Sequence, residues 1–148
     1  MLRHSLFLIC ILTACTTFGQ DKVNFLSDGT NTISLRVTAY GKNAKEATES
    51  AGQSAIQAIL FRGIPDSNQA GKPLIGVDEE KIEKEHKKYF KEFFDENRCN
   101  SFVLSNIPVS KFAKDVTKKK CIVVDVKVNL QALRSDLECH KVIRKFGF

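Results

Sequence analysis

The apolar positions of residues 32–40 recur at every second place. Ile33, Leu35, Val37 and Ala39 alternate with Ser34, Arg36, Thr38 and Tyr40, the period of a strand with one buried face. Gly41 ends the alternation, as a residue free to take positive φ does at a strand end. Asn43 then stands at a helix N-cap position, and Glu46 three residues later completes a capping-box pattern. Ala44, Ala47, Ala51, Ala55 and Ala58 fall on one helical face, with Glu46, Glu49, Gln53 and Gln57 on another. Such an alanine stripe lets a helix lie close to the surface it covers. Ile56, Ile59, Leu60 and Phe61 add bulk at the far end, and Gly63 predicts the stop. The unit reads as a packed β–α scaffold. A phosphate-binding loop needs several glycines between strand and helix, and here there is only Gly41.

Before this unit, residues 21–31 read as an irregular lead-in, with Asp28-Gly29-Thr30-Asn31 as a turn. After it, residues 62–77 hold Pro65 and Pro73 together with Gly63, Gly71 and Gly76. A loop of that length inside a domain is either mobile or used for binding. Tyr40, Arg62, Pro65, Lys72 and Pro73 are its candidate binding residues, and its apolar members Ile64, Leu74 and Ile75 would dock it down. Residues 78–96 predict a second helix capped by Asp78, with Glu79, Glu80 and Glu83 at the positive end of its dipole. Ile82, Tyr89, Phe90, Phe93 and Phe94 form its buried stripe, and Lys81, Lys84, Lys87, Lys88 and Lys91 its wet face.

Residues 97–100 break the pattern, and residues 102–113 predict a strand or interrupted strand. Pro108 cannot donate in a ladder, so that strand lies at an edge or is bulged there. Residues 115–120 are a charged turn. Residues 121–130 are the clearest strand, with Ile122, Val124, Val126, Val128 and Leu130 facing one way. A helix over residues 131–140 follows, and Phe146 and Phe148 end the chain as a tail packed on the sheet. The order β-α-α-β-β-α predicts an α+β domain, a small mostly antiparallel sheet with helices on one face.

The first 20 residues read as a targeting segment. Arg3 and His4 make a short basic region, and residues 6–12 are an unbroken apolar run, too short to span a bilayer but suited to a secretory signal. Two exits compete. Leu12-Thr13-Ala14-Cys15 matches a lipobox, in which Cys15 is acylated and becomes the new N-terminus; alternatively Thr17 and Gly19 direct cleavage before Gln20. Either route exports residues 21–148 as one domain, periplasmic or held at the outer membrane by lipid. Of the 23 basic and 17 acidic residues only Arg3 lies in the signal, so the remainder carries +5. Export separates that charge from nucleic acid; it serves solvation and attraction to anionic envelope surfaces.

The run Val37-Thr38-Ala39-Tyr40-Gly41-Lys42-Asn43-Ala44-Lys45-Glu46-Ala47, continued by Ala51 and Ala55, joins a strand ending in small-aromatic-glycine to an alanine-spaced helix. In this it resembles the N-terminal domain of flagellar assembly protein T and related small bacterial lipoproteins. The strand over residues 122–130, leading into Gln131-Ala132-Leu133, is similar to that group as well. The resemblance implies an envelope domain that works through surfaces and oligomer contacts, with no catalytic residues to carry over. The long segment over residues 62–96 departs from the flagellar protein.

No nucleophile signature accompanies the serines and aspartates, and His86 lies among lysines and glutamates on a wet helix face. The sequence therefore reads as a non-enzyme without cofactor, its partner an envelope protein or a second copy, and its alternative a small-ligand or glycan-fragment binder. Cys99, Cys121 and Cys139 leave either one disulfide with one spare thiol or three buried thiols. A hairpin places Cys121 near its turn, away from Cys99, whereas Cys99 with Cys139 needs the last helix to fold back. A zinc site from these three with His140 lacks any short ligand spacing.

Overall fold

The computed structural model describes residues 21–145. The expected signal, with Cys15 of its lipobox alternative, and the expected tail residues Phe146 and Phe148 lie outside the described residues. The fold is α+β. Strands β1 (Lys22–Gly29) and β2 (Thr32–Tyr40) form a hairpin, followed by helix α1 (Ala44–Gln57). After a long loop come α2 (Glu79–Glu85) and α3 (Lys87–Phe90), then β3 (Val103–Pro108), β4 (Ala113–Lys114), β5 (Lys120–Asn129) and α4 (Leu130–Cys139). The sheet order is β1-β2-β5-β3, with β4 pairing β5 beside the end of β3, and every pairing is antiparallel.

Register explains the core. Ile33, Leu35, Val37 and Ala39 of β2 stand opposite Val128, Val126, Val124 and Ile122 of β5, and all eight are buried. Directly opposed residues share a sheet face, so this one unbroken ladder fixes which face the helices cover. The alternate positions turn outward. There Arg36 grips Asp125 in a bidentate pair, Nε to Oδ1 at 2.7 Å and Nη2 to Oδ2 at 2.8 Å. That pair holds the Asp125 carboxyl below its usual range, chiefly through the Arg36 hydrogen bonds.

Helix α1 runs beneath β2, β5 and β3. Asn43 caps it by accepting the Glu46 N–H at 2.9 Å. The alanine stripe is buried from Ala47 to Ala58, while Ala44 in the first turn is exposed. Close approach explains two glycines: a Cβ on Gly41 would sit 2.9 Å from the Ala47 nitrogen, and one on Gly52 3.2 Å from Val103. The helix widens into a π turn over Ala58–Arg62, which buries Ile59, Leu60 and Phe61, and stops at Gly63 with φ of 74°. The expected stop is therefore a left-handed glycine.

Two expectations need correction. Residues 22–29 are not an irregular lead-in but strand β1, and the predicted turn is the tip of its hairpin with β2. The alternation Val23, Phe25 is cut short by a bulge at Leu26, which shifts the remaining residues by one place and hides the strand period. The second helix is not continuous: it breaks at His86, separating α2, in which no residue is fully buried, from the aromatic α3 and a π turn over Lys91–Asp95. Tyr89, Phe90 and Phe93 enter the core as the stripe predicts, and the five lysines are exposed.

Candidate functional site

The loop from Gly63 to Asp78 is tied to the domain at both sides. Asp28 at the end of β1 receives the Ser67 hydroxyl at 2.7 Å and the Asn68 N–H at 2.8 Å. Ser67 is buried, and its oxygen in turn accepts the N–H groups of Gln69 and Ala70 at 3.1 and 3.0 Å. Arg134 of α4 donates to the Gln69 carbonyl. Further on, the Leu74 and Ile75 N–H groups return to the carbonyls of Ile59 and Leu60 at 3.1 and 3.0 Å. Ile64 and Ala70 are buried, and Leu74 and Ile75 pack against the core. These contacts dock the loop on the domain, as its apolar members predict.

Docking leaves a groove on each flank. One, about 340 Å³, lies between β1 and the end of α1 and is lined by Val23, Phe25, Arg62, Pro65 and Asp66, among others. The other, about 790 Å³, lies between the loop and α4 and is lined by Asn68, Gln69, Lys72, Pro73, Arg134, Glu138 and Ile143, among others. The candidate binding residues are thus divided. Arg62 and Pro65 belong to the smaller groove, and Lys72 and Pro73 to the larger. Tyr40 is in neither: its hydroxyl donates to Asp115 at 2.9 Å, and that bond raises the phenol pKa.

A second surface, the sheet edge that Pro108 marks, was legible only in part. Strand β3 is the outer strand on its side of the sheet, and Leu104, Ile107 and Val109 are 53%, 57% and 46% exposed around it. Ile107 pairs with Asp125 and therefore shares the helix-free face with the Arg36–Asp125 pair. Leu104 is the extra residue of a bulge between Val103 and Ser105. Pro108 was the available signal, since it marked the edge; the bulge that puts Ile107 on the outward face has no sequence signature of its own.

Among the described residues no disulfide joins Cys99, Cys121 and Cys139. Cys99 is buried before β3, and burial pushes its thiol pKa up; Cys121 is half-buried opposite Tyr40; Cys139 is exposed at the end of α4. Cys99 lies beyond the Val103–Val128 pair and Cys121 at the start of β5. The strand rise puts these ends roughly 20 Å apart, too far for a bond. Among the described residues no group of three His, Cys, Asp or Glu side chains is placed to hold a metal ion, and no helix is long and apolar enough to cross a membrane.

At the other end of the sheet a polar cluster ties α4 to the aromatic segment. Asp136 accepts from the Tyr89 hydroxyl at 2.7 Å and from Arg98 Nη1 at 2.8 Å. The Arg98 guanidinium lies 5.0 Å from the Tyr89 ring centre and 5.3 Å from that of Phe93. These bonds already occupy the groups that would do acid–base work, so the cluster reads as a structural clamp. No family model matches the chain, and no curated protein or solved structure shows significant similarity to it.

Proposed function

We propose that this chain is an exported, non-enzymatic cell-envelope domain that binds another protein, or a second copy of itself, through the free edge of β3. The observation that carries this is the exposed apolar group Leu104, Ile107 and Val109 beside an outer strand. A free edge offers unpaired backbone donors and acceptors, and exposed apolar side chains beside it add area that association removes from water. The secretory pattern at the N-terminus and the resemblance to the flagellar assembly domain support the envelope setting. A photo-crosslinking amino acid in place of Ile107 tests the reading in intact cells. The expected result is one discrete adduct, with an envelope protein or with the same chain; labelling no stronger than that at the exposed Lys84 would overturn it.

The larger groove favours a second reading, a binder of small glycan fragments. Lys72, Arg134, Glu138 and the amide side chain of Asn68 offer donors and acceptors around Pro73, Leu74 and Ile143, the mixture of polar groups and apolar floor that small-molecule sites use. A thermal-shift series with peptidoglycan fragments is expected to raise the melting temperature of the parent and not of Arg134→Ala. No shift with any fragment would retire this reading and leave the first untouched.

A further inference from the structure

The turn joining β4 to β5 is folded so that it displays lysine. Asp115, the one acidic residue from Lys111 to Lys120, spends its carboxylate inside the turn. Its Oδ1 accepts from the Thr117 N–H at 2.8 Å, the Thr117 hydroxyl at 2.6 Å and the Lys119 N–H at 3.1 Å. Its Oδ2 accepts from the Tyr40 hydroxyl at 2.9 Å. Backbone bonds from the Lys118 N–H to the Asp115 carbonyl and from the Asp115 N–H to the Lys119 carbonyl, 3.0 and 2.9 Å, close the same loop. Lys118 takes a φ of 64° to allow it. The turn is preorganised, so little ordering is required when it meets a partner.

What faces outward is cationic around an apolar apex. Lys111, Lys114, Lys118 and Lys120 are exposed, and Val116 between them is 101% exposed. An isolated, fully exposed valine on a rigid turn gains nothing from the fold itself. Lysine ammonium groups at headgroup depth, with long stems and an apolar apex reaching further in, suit the bilayer interface. Nucleic acid would favour arginine forks and exposed aromatic faces; the turn has no arginine, and Phe112 is packed against the core.

We propose that the β4–β5 turn docks the domain on a bilayer bearing anionic phosphodiester headgroups, with these four lysines at the phosphates and Val116 in the interface. This is a contact of the folded domain itself, separate from any acyl group on Cys15 and from the β3 edge. The chain has no tryptophan, so Val116→Trp supplies a single reporter. The test uses residues 21–148 exported behind a cleavable signal that lacks a lipobox, so that neither an acyl group nor an uncleaved apolar run contributes. The expected result is co-sedimentation with phosphatidylcholine vesicles containing phosphatidylglycerol, a blue shift of the tryptophan, and neither effect with phosphatidylcholine alone. Lys118→Gln and Lys120→Gln should each weaken partitioning on the order of fivefold, and added salt should weaken it further. Lys84→Gln and Lys88→Gln on the helix face serve as controls. Equal partitioning to both vesicles, an equal loss in the controls, or tight binding to duplex DNA without vesicle binding would overturn the proposal.

Discussion

Phe93→Ala is expected to destabilise the domain by about 3–5 kcal/mol, the largest effect of any single truncation considered. Phe93 has no exposed surface. Its ring stacks on Tyr89 at 5.2 Å and on Phe102 at 5.8 Å, and meets the edge of Phe94 at 5.0 Å. Removing it takes away buried area and several ring contacts together, and leaves a cavity lined by Tyr89 and Phe94 of its own helical segment and by Phe102 before β3. Natural domains hold only about 5–15 kcal/mol in total, so this single change removes a large fraction of it. Phe93→Leu keeps an apolar filling and should cost only about 1–2 kcal/mol. Equilibrium urea unfolding separates the two, read as a shift of midpoint at unchanged slope. A loss below that of Phe93→Leu would mean that the aromatic segment is peripheral to the core.

How far the fold was legible follows from where its information is stored. Strand β2, helix α1 and strand β5 carry theirs locally: an unbroken two-residue period, a cap at Asn43, an alanine stripe and a stop at Gly63. Strand β1 has the same chemistry, but the bulge at Leu26 leaves only Val23 and Phe25 in phase, too few to register as a period. The break at His86 is invisible for a related reason, because the charged and aromatic halves share one helical stripe in sequence. The candidate site was legible by halves. Proline and glycine content marked the loop, and Pro108 marked the edge. The loop's polar ties were not legible, because they depend on Asp28 and Arg134, which lie 39 and 65 residues from their partners Ser67 and Gln69. A side-chain bond between distant segments has no periodicity for a sequence to display.

The clamp around Asp136 is the other case of distant pairing, and its removal is the second large prediction. Asp136 joins Tyr89 and Arg98, 47 and 38 residues away. Its side chain is 17% exposed and that of Arg98 31%, so water weakens the pair without dissolving it. Asp136→Ala strands a guanidinium whose Nη2 is already buried without a hydrogen-bond partner among the described residues, and takes from the Tyr89 hydroxyl its carboxylate acceptor, leaving the Arg98 guanidinium as its polar neighbour. The expected cost is about 2–3 kcal/mol, against about 1 kcal/mol for Tyr89→Phe, which removes one bond and leaves the ion pair. The pH profile supplies an independent reading. Burial first, and the Asp136 hydrogen bond second, push the Tyr89 phenol well above its ordinary value of 10.0. Below that value both folded and unfolded chains hold the proton, and the stabilisation is fully present. Above it the unfolded chain releases the proton and the folded one does not, so stability falls as pH rises toward the folded pKa. Tyr40 is the chain's other phenol, so in a Tyr40→Phe background, where Tyr89 alone reports, phenolate absorbance should appear together with unfolding. In Asp136→Ala part of the upward shift is gone, so the alkaline loss should be shallower although the protein starts less stable. An unchanged alkaline slope would assign the shift to burial alone and reduce the clamp to a packing contact.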